Sequence, residues 1–201
     1  MKKVITISRE YGSGGRAIGQ KLAERLGIKC YDKEFIAKMV EDTGLDPKFV
    51  EENAEYAPGN SFFSYLGSAM SNPASVNNSM SLYDYLYATQ VKIIEKLADE
   101  EECIIVGRSA DYILRHHDNV LNVFIYASSE FRQDFAVVNY GEDPNTIKEK
   151  VKERDKKRAV NYEHFTGRKW GVLHNYDLCL DSSKLGIDKC VEIIAKLKEE
   201  L

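Results

Sequence analysis

VITISREYGSGGRAIGQ, residues 4–20, decides the architecture of this chain. A short apolar run around Val4, Ile5 and Ile7 leads into a glycine cluster, Gly12, Gly14 and Gly15. A helix opens at once behind it, through Ile18, Leu22, Ala23 and Leu26. Strand, glycine-rich turn and helix start, in that order, make a phosphate-cradling loop. Glycine reaches backbone conformations closed to other residues, so successive N–H groups can converge on an anion. The helix start adds its dipole and its unpaired donors. A tight turn between strand and helix would account for the glycines alone. It does not account for Arg9 and Arg16 on either side of them, which suit a polyphosphate.

The loop departs from the usual G-x-x-x-x-G-K-[ST] pattern. Where the Lys-[ST] pair belongs, this chain has Gly15-Arg16-Ala17 or Arg16-Ala17, depending on the frame. Arg16 can supply the missing charge as a bidentate phosphate fork, with a geometry unlike that of lysine. A hydroxyl for Mg²⁺ must then come from elsewhere, and Ser8 and Ser13 are the nearest candidates.

Outward from this loop, strand and helix patterns alternate. Strands are expected at 4–7, 28–31, 103–106, 120–126 and 178–180, and helices at 16–26, 33–42, 82–101, 129–140, 144–162 and 187–201. Several strands are continuously apolar, as in a parallel sheet covered on both faces. The expected fold is therefore doubly wound α/β, a mainly parallel five-stranded sheet with ligands at the carboxyl ends of the strands. Residues 57–81 break the rhythm, being rich in Ser and Asn with Pro58, Pro73, Gly59 and Gly67. They are expected as a loop over the acceptor side of the site or as an insertion packing on a partner subunit.

The bulk properties narrow the class. The 201 residues make one domain with a lid, expected over 144–170. A net charge of −4 argues against a nucleic-acid or anionic-membrane partner, while a small anion can still find local positive charge in one cleft. The cysteines Cys30, Cys103, Cys179 and Cys190 form no C-x-x-C pair and read as free thiols of a reducing compartment. No signal peptide or membrane span is seen, so a cytoplasmic location is expected. His116 and His117 are adjacent, which points them apart, and no histidine metal site is expected. Ser8, Ser13 and Ser109 lack the partners of an acyl-transfer triad. Tyr83, Tyr85 and Tyr87 read as packing or interface residues.

Four segments together resemble the cytidylate kinase-like branch of the P-loop nucleoside monophosphate kinases. They are ITISREYGSGGRAIGQKLAERLG, YDKEFI, IIVGRSADYIL, and ERDKKRA with YDLCLDSSKLGIDKCVEII. The resemblance covers most of the chain apart from 57–81. It implies that Ser8, Arg9, Gly12, Ser13, Gly14, Gly15, Arg16 and Ala17 bind the donor phosphates. It further implies that Arg108 grips the acceptor phosphate, that Asp32 opens the monophosphate-binding segment, and that Arg154 and Arg158, accompanied by Asp155, are lid residues closing on the transferring group. The residues agree with this reading, since phosphoryl transfer gains mainly from positioning and from cations. Arg154, Lys157 and Arg158 fall at helical spacing and can face one way. Arg168, in the turn-like TGRKWG, adds a further cation, and Glu10 and Asp111 are candidate partners for the arginines. Val106 and Ser109 stand where the family has aspartates, and Lys33-Glu34 follows Asp32 where a Thr-Gly is usual. Mg²⁺ ligands and cytosine-reading residues therefore do not carry over.

The expectation is a phosphotransferase using ATP and Mg²⁺, with CMP or dCMP as the simplest acceptor. Its alternatives are a nucleotide-binding regulatory module that has lost transfer and a kinase of another small metabolite. A homodimer through the aromatic-bearing 57–81 segment is also expected.

Overall fold

The structure is a computed structural model and describes residues 4–48, 50 and 82–200. The 57–81 segment, and with it the expected acceptor-side loop and homodimer contact, lies outside the described residues.

Five parallel strands form one sheet in the order β2-β3-β1-β4-β5. They are β1 (Val4–Arg9), β2 (Lys29–Tyr31), β3 (Cys103–Val106), β4 (Val120–Tyr126) and β5 (Leu178–Asp181). All six residues of β1 and all four of β3 are buried, which explains the unbroken apolar run of β3. Alternation along β1 and β3 feeds two cores. Val4 and Ile105 face one side, while Ile5, Ile7, Ile104 and Val106 face the other.

The first core is closed by α2 (Lys33–Thr43), α3 (Leu82–Glu100) and the short α4 (Ala110–Ile113), through Phe35, Met39, Leu86, Ile94 and Ile113. The second is closed by α1 (Gly15–Leu26) and, after the short α7 (Ser182–Leu185), by α8 (Ile187–Glu200). Their Ile18, Leu22, Cys190 and Ile194 sit against Leu121, Val123 and Ile125. The alternating pattern read from the sequence thus gives the doubly wound sheet, with α2 and α3 on one face and α1 and α8 on the other.

Two helices stand over the carboxyl end of the sheet. These are α5 (Ser129–Tyr140), capped by the Ser128 hydroxyl, and α6 (Ile147–Thr166). Ala136, Ile147 and Val151 form a small cluster there with Tyr11, Val137 and Tyr140. The far half of α6 is anchored in the body: Arg158, Asn161, Tyr162 and Thr166 are buried. The Tyr83 hydroxyl donates to Asn161, and Tyr87 stacks on Phe165 with centroids 3.8 Å apart. Both tyrosines are packing residues, whereas Tyr85 is exposed. The expected lid region, 144–170, takes in the whole of α6.

The four cysteines are free, Cys103 and Cys190 buried, Cys30 and Cys179 half-buried. Burial pushes the Cys30 thiol up to about 12 and the Cys190 thiol to about 11, which keeps both protonated and inert. No helix among the described residues is long and apolar enough to cross a membrane.

Candidate functional site

The glycine loop sits where the sequence places it, between β1 and α1, at the carboxyl end of the central strand. It folds back on itself through Ser13 N–H to the Glu10 carbonyl, at 3.3 Å. Gly12 has φ +79°, and a Cβ there would lie 2.2 Å from the Arg132 carbonyl oxygen. A side chain is therefore excluded both by conformation and by the close approach of α5. Gly12→Ala is expected to lower stability by about 2 kcal/mol or more, from left-handed strain plus a backbone collision. Thermal melting measures it, and an unchanged melting temperature would contradict this packing.

The serines of the loop region are turned into the protein. Ser13 Oγ donates to the Glu10 carbonyl at 2.9 Å, and Ser8 Oγ donates to Asp111 Oδ1 at 3.3 Å. Among the described residues, no group of three or more His, Cys, Asp or Glu side chains is placed to hold a metal ion. A Mg²⁺ ion accompanying nucleotide phosphates needs only one or two protein ligands. The described residues offer it no ready-made cage, and no step below depends on it.

Cations dominate the strand ends. Arg9 is 6 % exposed, Arg108 8 % and Arg158 9 %. Arg158 reaches inward from α6 and donates from Nη1 to the Arg9 carbonyl at 3.2 Å. Arg108 follows β3 and lies over the Phe35 ring, 5.7 Å from its centroid. Its Nη1 is buried without a hydrogen-bond partner among the described residues. The backbone there is strained, because Arg108 has φ +60° and Ser109 φ +51°. The Arg108 carbonyl is held by Gln90 Nε2 at 2.8 Å. Arg108 is thus a desolvated guanidinium on a strained corner at the end of a parallel strand.

The remaining expected residues divide by location. Arg16 Nε pairs with Asp32 Oδ2 at 2.6 Å, joining the start of α1 to the start of α2. Ala17 is the next residue of α1 and is half-buried. The Arg154 guanidinium lies 5.9 Å from the Tyr11 ring centroid. Lys157 turns away from this cluster to pair with Glu153 on the solvent side of α6. Arg168 stands over Tyr112, at 5.3 Å. Asp155 accepts from the Tyr11 N–H at 2.7 Å and is ion-paired with Arg132 and, at 3.7 Å, with Arg158. It ties α6 to the glycine loop.

Several site residues escape sequence reading. Arg132 pairs with Asp155 and, at 3.5 Å, with Glu10, so Glu10 does partner an arginine, though a different one. Its only sequence signal is its place in the first turn of the helix after β4. Tyr11 donates its hydroxyl to Glu142 Oε1 at 2.5 Å and presents its ring to Arg154 and Arg158. Tyr140 is half-buried where the charges of Arg16, Arg9, Arg158 and Asp32 all reach it; partial burial raises its pKa and the three arginines pull it back.

Asp111 partners no arginine directly. It accepts from Tyr162 at 2.6 Å and from Ser8, linking α4 to α6 and β1. Burial raises its pKa, against these hydrogen bonds. A carboxyl with a raised native pKa stabilises the fold most at acid pH, and that contribution is lost as pH rises through the native value. Asp111→Asn is therefore expected to gain on wild type in stability as pH rises from the ordinary carboxylate range toward neutral. Denaturant melts across that window test it, and a wild-type advantage that grows with pH would overturn it.

Comparison with known proteins adds the relationship. The model of the cytidylate kinase-like family matches residues 4–184. A cytidylate kinase of Archaeoglobus fulgidus is 25% identical over 199 residues, 97% of this chain and 94% of that protein. A crystal structure of a protein from Eubacterium ventriosum aligns with TM-score 0.73 and 25% identity, covering 100% of both chains. A shikimate kinase from Bacteroides thetaiotaomicron aligns with TM-score 0.55 at 11% identity, over 99% of each chain, and shares the fold.

Proposed function

Since the chain belongs to the cytidylate kinase-like family, and is on that account a phosphotransferase, we propose that it moves the γ-phosphoryl group of ATP to a pyrimidine nucleoside monophosphate, CMP or dCMP. The observation that carries this reading is the gathering of Arg9, Arg108 and Arg158, each under a tenth exposed, at the carboxyl ends of the central strands. Asp155 answers Arg158 at 3.7 Å, but Arg108 Nη1 is buried without a hydrogen-bond partner among the described residues and calls for further anionic charge there. Two phosphate chains meeting end to end supply it.

In this reading the loop from Gly12 to Arg16 and the first turn of α1 hold the donor phosphates with backbone N–H groups. Arg108 holds the acceptor phosphate, and Asp32 with its partner Arg16 borders the acceptor side. Arg154 and Arg158 close over the transferring group from α6, and Arg168 adds charge at the rim. No general base is required, because a monophosphate is already ionised at neutral pH. Catalysis comes from alignment and from cations around the shifting charge. Mg²⁺, when bound with the donor phosphates, would help neutralise their charge.

A coupled assay for ADP release, run across the nucleoside monophosphates with ATP and Mg²⁺, tests this. Turnover with CMP or dCMP above all other acceptors is the expected result. A thermal shift with ATP but no ADP from any acceptor would overturn the reading in favour of a binding module. ADP formed only with a non-nucleotide acceptor would reassign the acceptor side.

A further inference from the structure

The position of a phosphate-loop lysine is empty of side chain here, and the structure shows what fills the space. Helix α1 begins at Gly15, with Gly14 as its left-handed N-cap at φ +76°. In that frame Gly14 is the second glycine of the G-x-x-x-x-G-K-[ST] pattern, and Gly15 occupies the lysine position. Counting back, the first glycine position falls on Arg9. Glycine and cation have exchanged places.

The geometry fits such an exchange. A Cβ on Gly15 would lie 2.5 Å from the Arg9 Cβ and 2.9 Å from its Cγ, so Arg9 runs directly across the bare backbone of residue 15. Its guanidinium ends over Gly107, where a Cβ would lie 1.9 Å from Nη1 and 2.9 Å from Cζ. Two glycines therefore form the channel along which this arginine leaves β1. It ends beside Arg108 at the tip of β3. Arg16, the other candidate, is held 2.6 Å from Asp32 on the α2 side, and its side chain is 40% exposed.

We propose that Arg9, and not Arg16, does the work of the absent phosphate-loop lysine, binding the terminal phosphates of the donor from the end of β1 across Gly15. This rests on the phosphotransferase reading above for its chemistry, but not for its geometry. During transfer the bond between the γ-phosphorus and the β,γ-bridging oxygen breaks, and a bond from an acceptor phosphate oxygen to that phosphorus forms. ADP leaves with the bridging oxygen, and Arg9 neutralises charge on these oxygens without bonding covalently. A planar guanidinium can hold two of them at once, which an ammonium cannot do with the same geometry.

The test is calorimetric titration of the full-length protein with ATP and, separately, with inorganic tripolyphosphate, which has no base or sugar. Arg9→Gln keeps the bulk and removes the charge. It is expected to weaken both ligands by about 10- to 100-fold, as loss of a charge-assisted contact does. Arg16→Ala is expected to weaken them by no more than about fivefold, the scale of a partly exposed ion pair. Gly15→Lys alone collides with Arg9 and loses binding. The double exchange Arg9→Gly with Gly15→Lys restores the ordinary arrangement and is expected to regain binding that Arg9→Gly alone lacks.

Arg9→Gln binding tripolyphosphate like wild type, or a folded double exchange that fails to regain binding, would overturn the assignment. Wild-type binding without turnover on any acceptor, combined with loss in Arg9→Gln, would sink the phosphotransferase reading and leave the assignment standing. Absence of wild-type binding to both ligands would overturn both.

Discussion

Arg108→Gly is expected to abolish phosphoryl transfer while making the protein more stable. Arg108 and Ser109 are both in the left-handed region, at φ +60° and +51°, which costs a residue with a Cβ about 1 to 2 kcal/mol. Glycine at 108 removes that strain and keeps the carbonyl that Gln90 holds. It also removes a guanidinium whose Nη1 is buried without a hydrogen-bond partner among the described residues. The gain is expected to be about 1 kcal/mol, or roughly 2 to 4 °C in melting temperature for a chain of this size. The loss in kcat/KM is expected to be about a thousandfold, typical for removing a preorganised charge from the reacting centre. Strain of this kind persists where function keeps it, and stability is given up for activity. Melting and steady-state kinetics on the same preparation check both halves. A less stable or fully active Arg108→Gly would contradict the role given to this corner.

Asp155→Ala is expected to have the largest destabilising effect in the site. Asp155 is the single carboxylate that takes the Tyr11 N–H, Arg132 and Arg158 together. The side chains of Arg132 and Arg158 are 12% and 9% exposed, so the substitution leaves two largely desolvated cations facing one another. Glu10, 3.5 Å from Arg132, compensates in part. Breaking such a network costs about 2 to 3 kcal/mol once partial exposure is discounted. The melting temperature should fall by about 5 to 10 °C. Asp155→Asn keeps an acceptor for the Tyr11 N–H and should lose less. Unchanged stability in Asp155→Ala with a rise in KM alone would instead make Asp155 a substrate contact. The structure favours the tether, because a carboxylate amid these donors occupies positions a phosphate oxygen would otherwise take.

These residues also show what was legible in the sequence. The sheet was readable because parallel strands buried on both faces leave unbroken apolar runs, such as CIIV at 103–106. β1 nevertheless continues to Arg9, two residues past its apolar part, because a cation at a strand end carries no strand signature. α6 likewise continues to Thr166, beyond the expected end at 162. Its amphipathic pattern is weak there, since it buries Arg158 and Asn161 among its packing residues. The four-residue helices α4 and α7 are too short to show a period.

In the candidate site, the glycines and the arginines of GRS and ERDKKR stand out in the sequence because their residue types suit phosphate chemistry. Their pairings could not. Asp32 takes Arg16 across 16 residues, and Asp155 takes the loop N–H across 144, and neither separation leaves a local pattern. Arg132 and Tyr11 went unread for the same reason, being ordinary residues until the fold brings them to Asp155. The Arg9–Gly15 contact needed coordinates too, since only the start of α1 fixes the frame of the loop.

An arginine-built site that transfers phosphate without a loop lysine is open to direct test. Its most direct measurement follows the label from γ-³²P-ATP into CMP in a single turnover, with the products separated chromatographically. Labelled CDP is expected from wild-type protein, and about a thousandfold slower label transfer from Arg108→Gly under the same conditions. ATP bound at saturation with no label in CDP, dCDP or any other nucleoside diphosphate would contradict it.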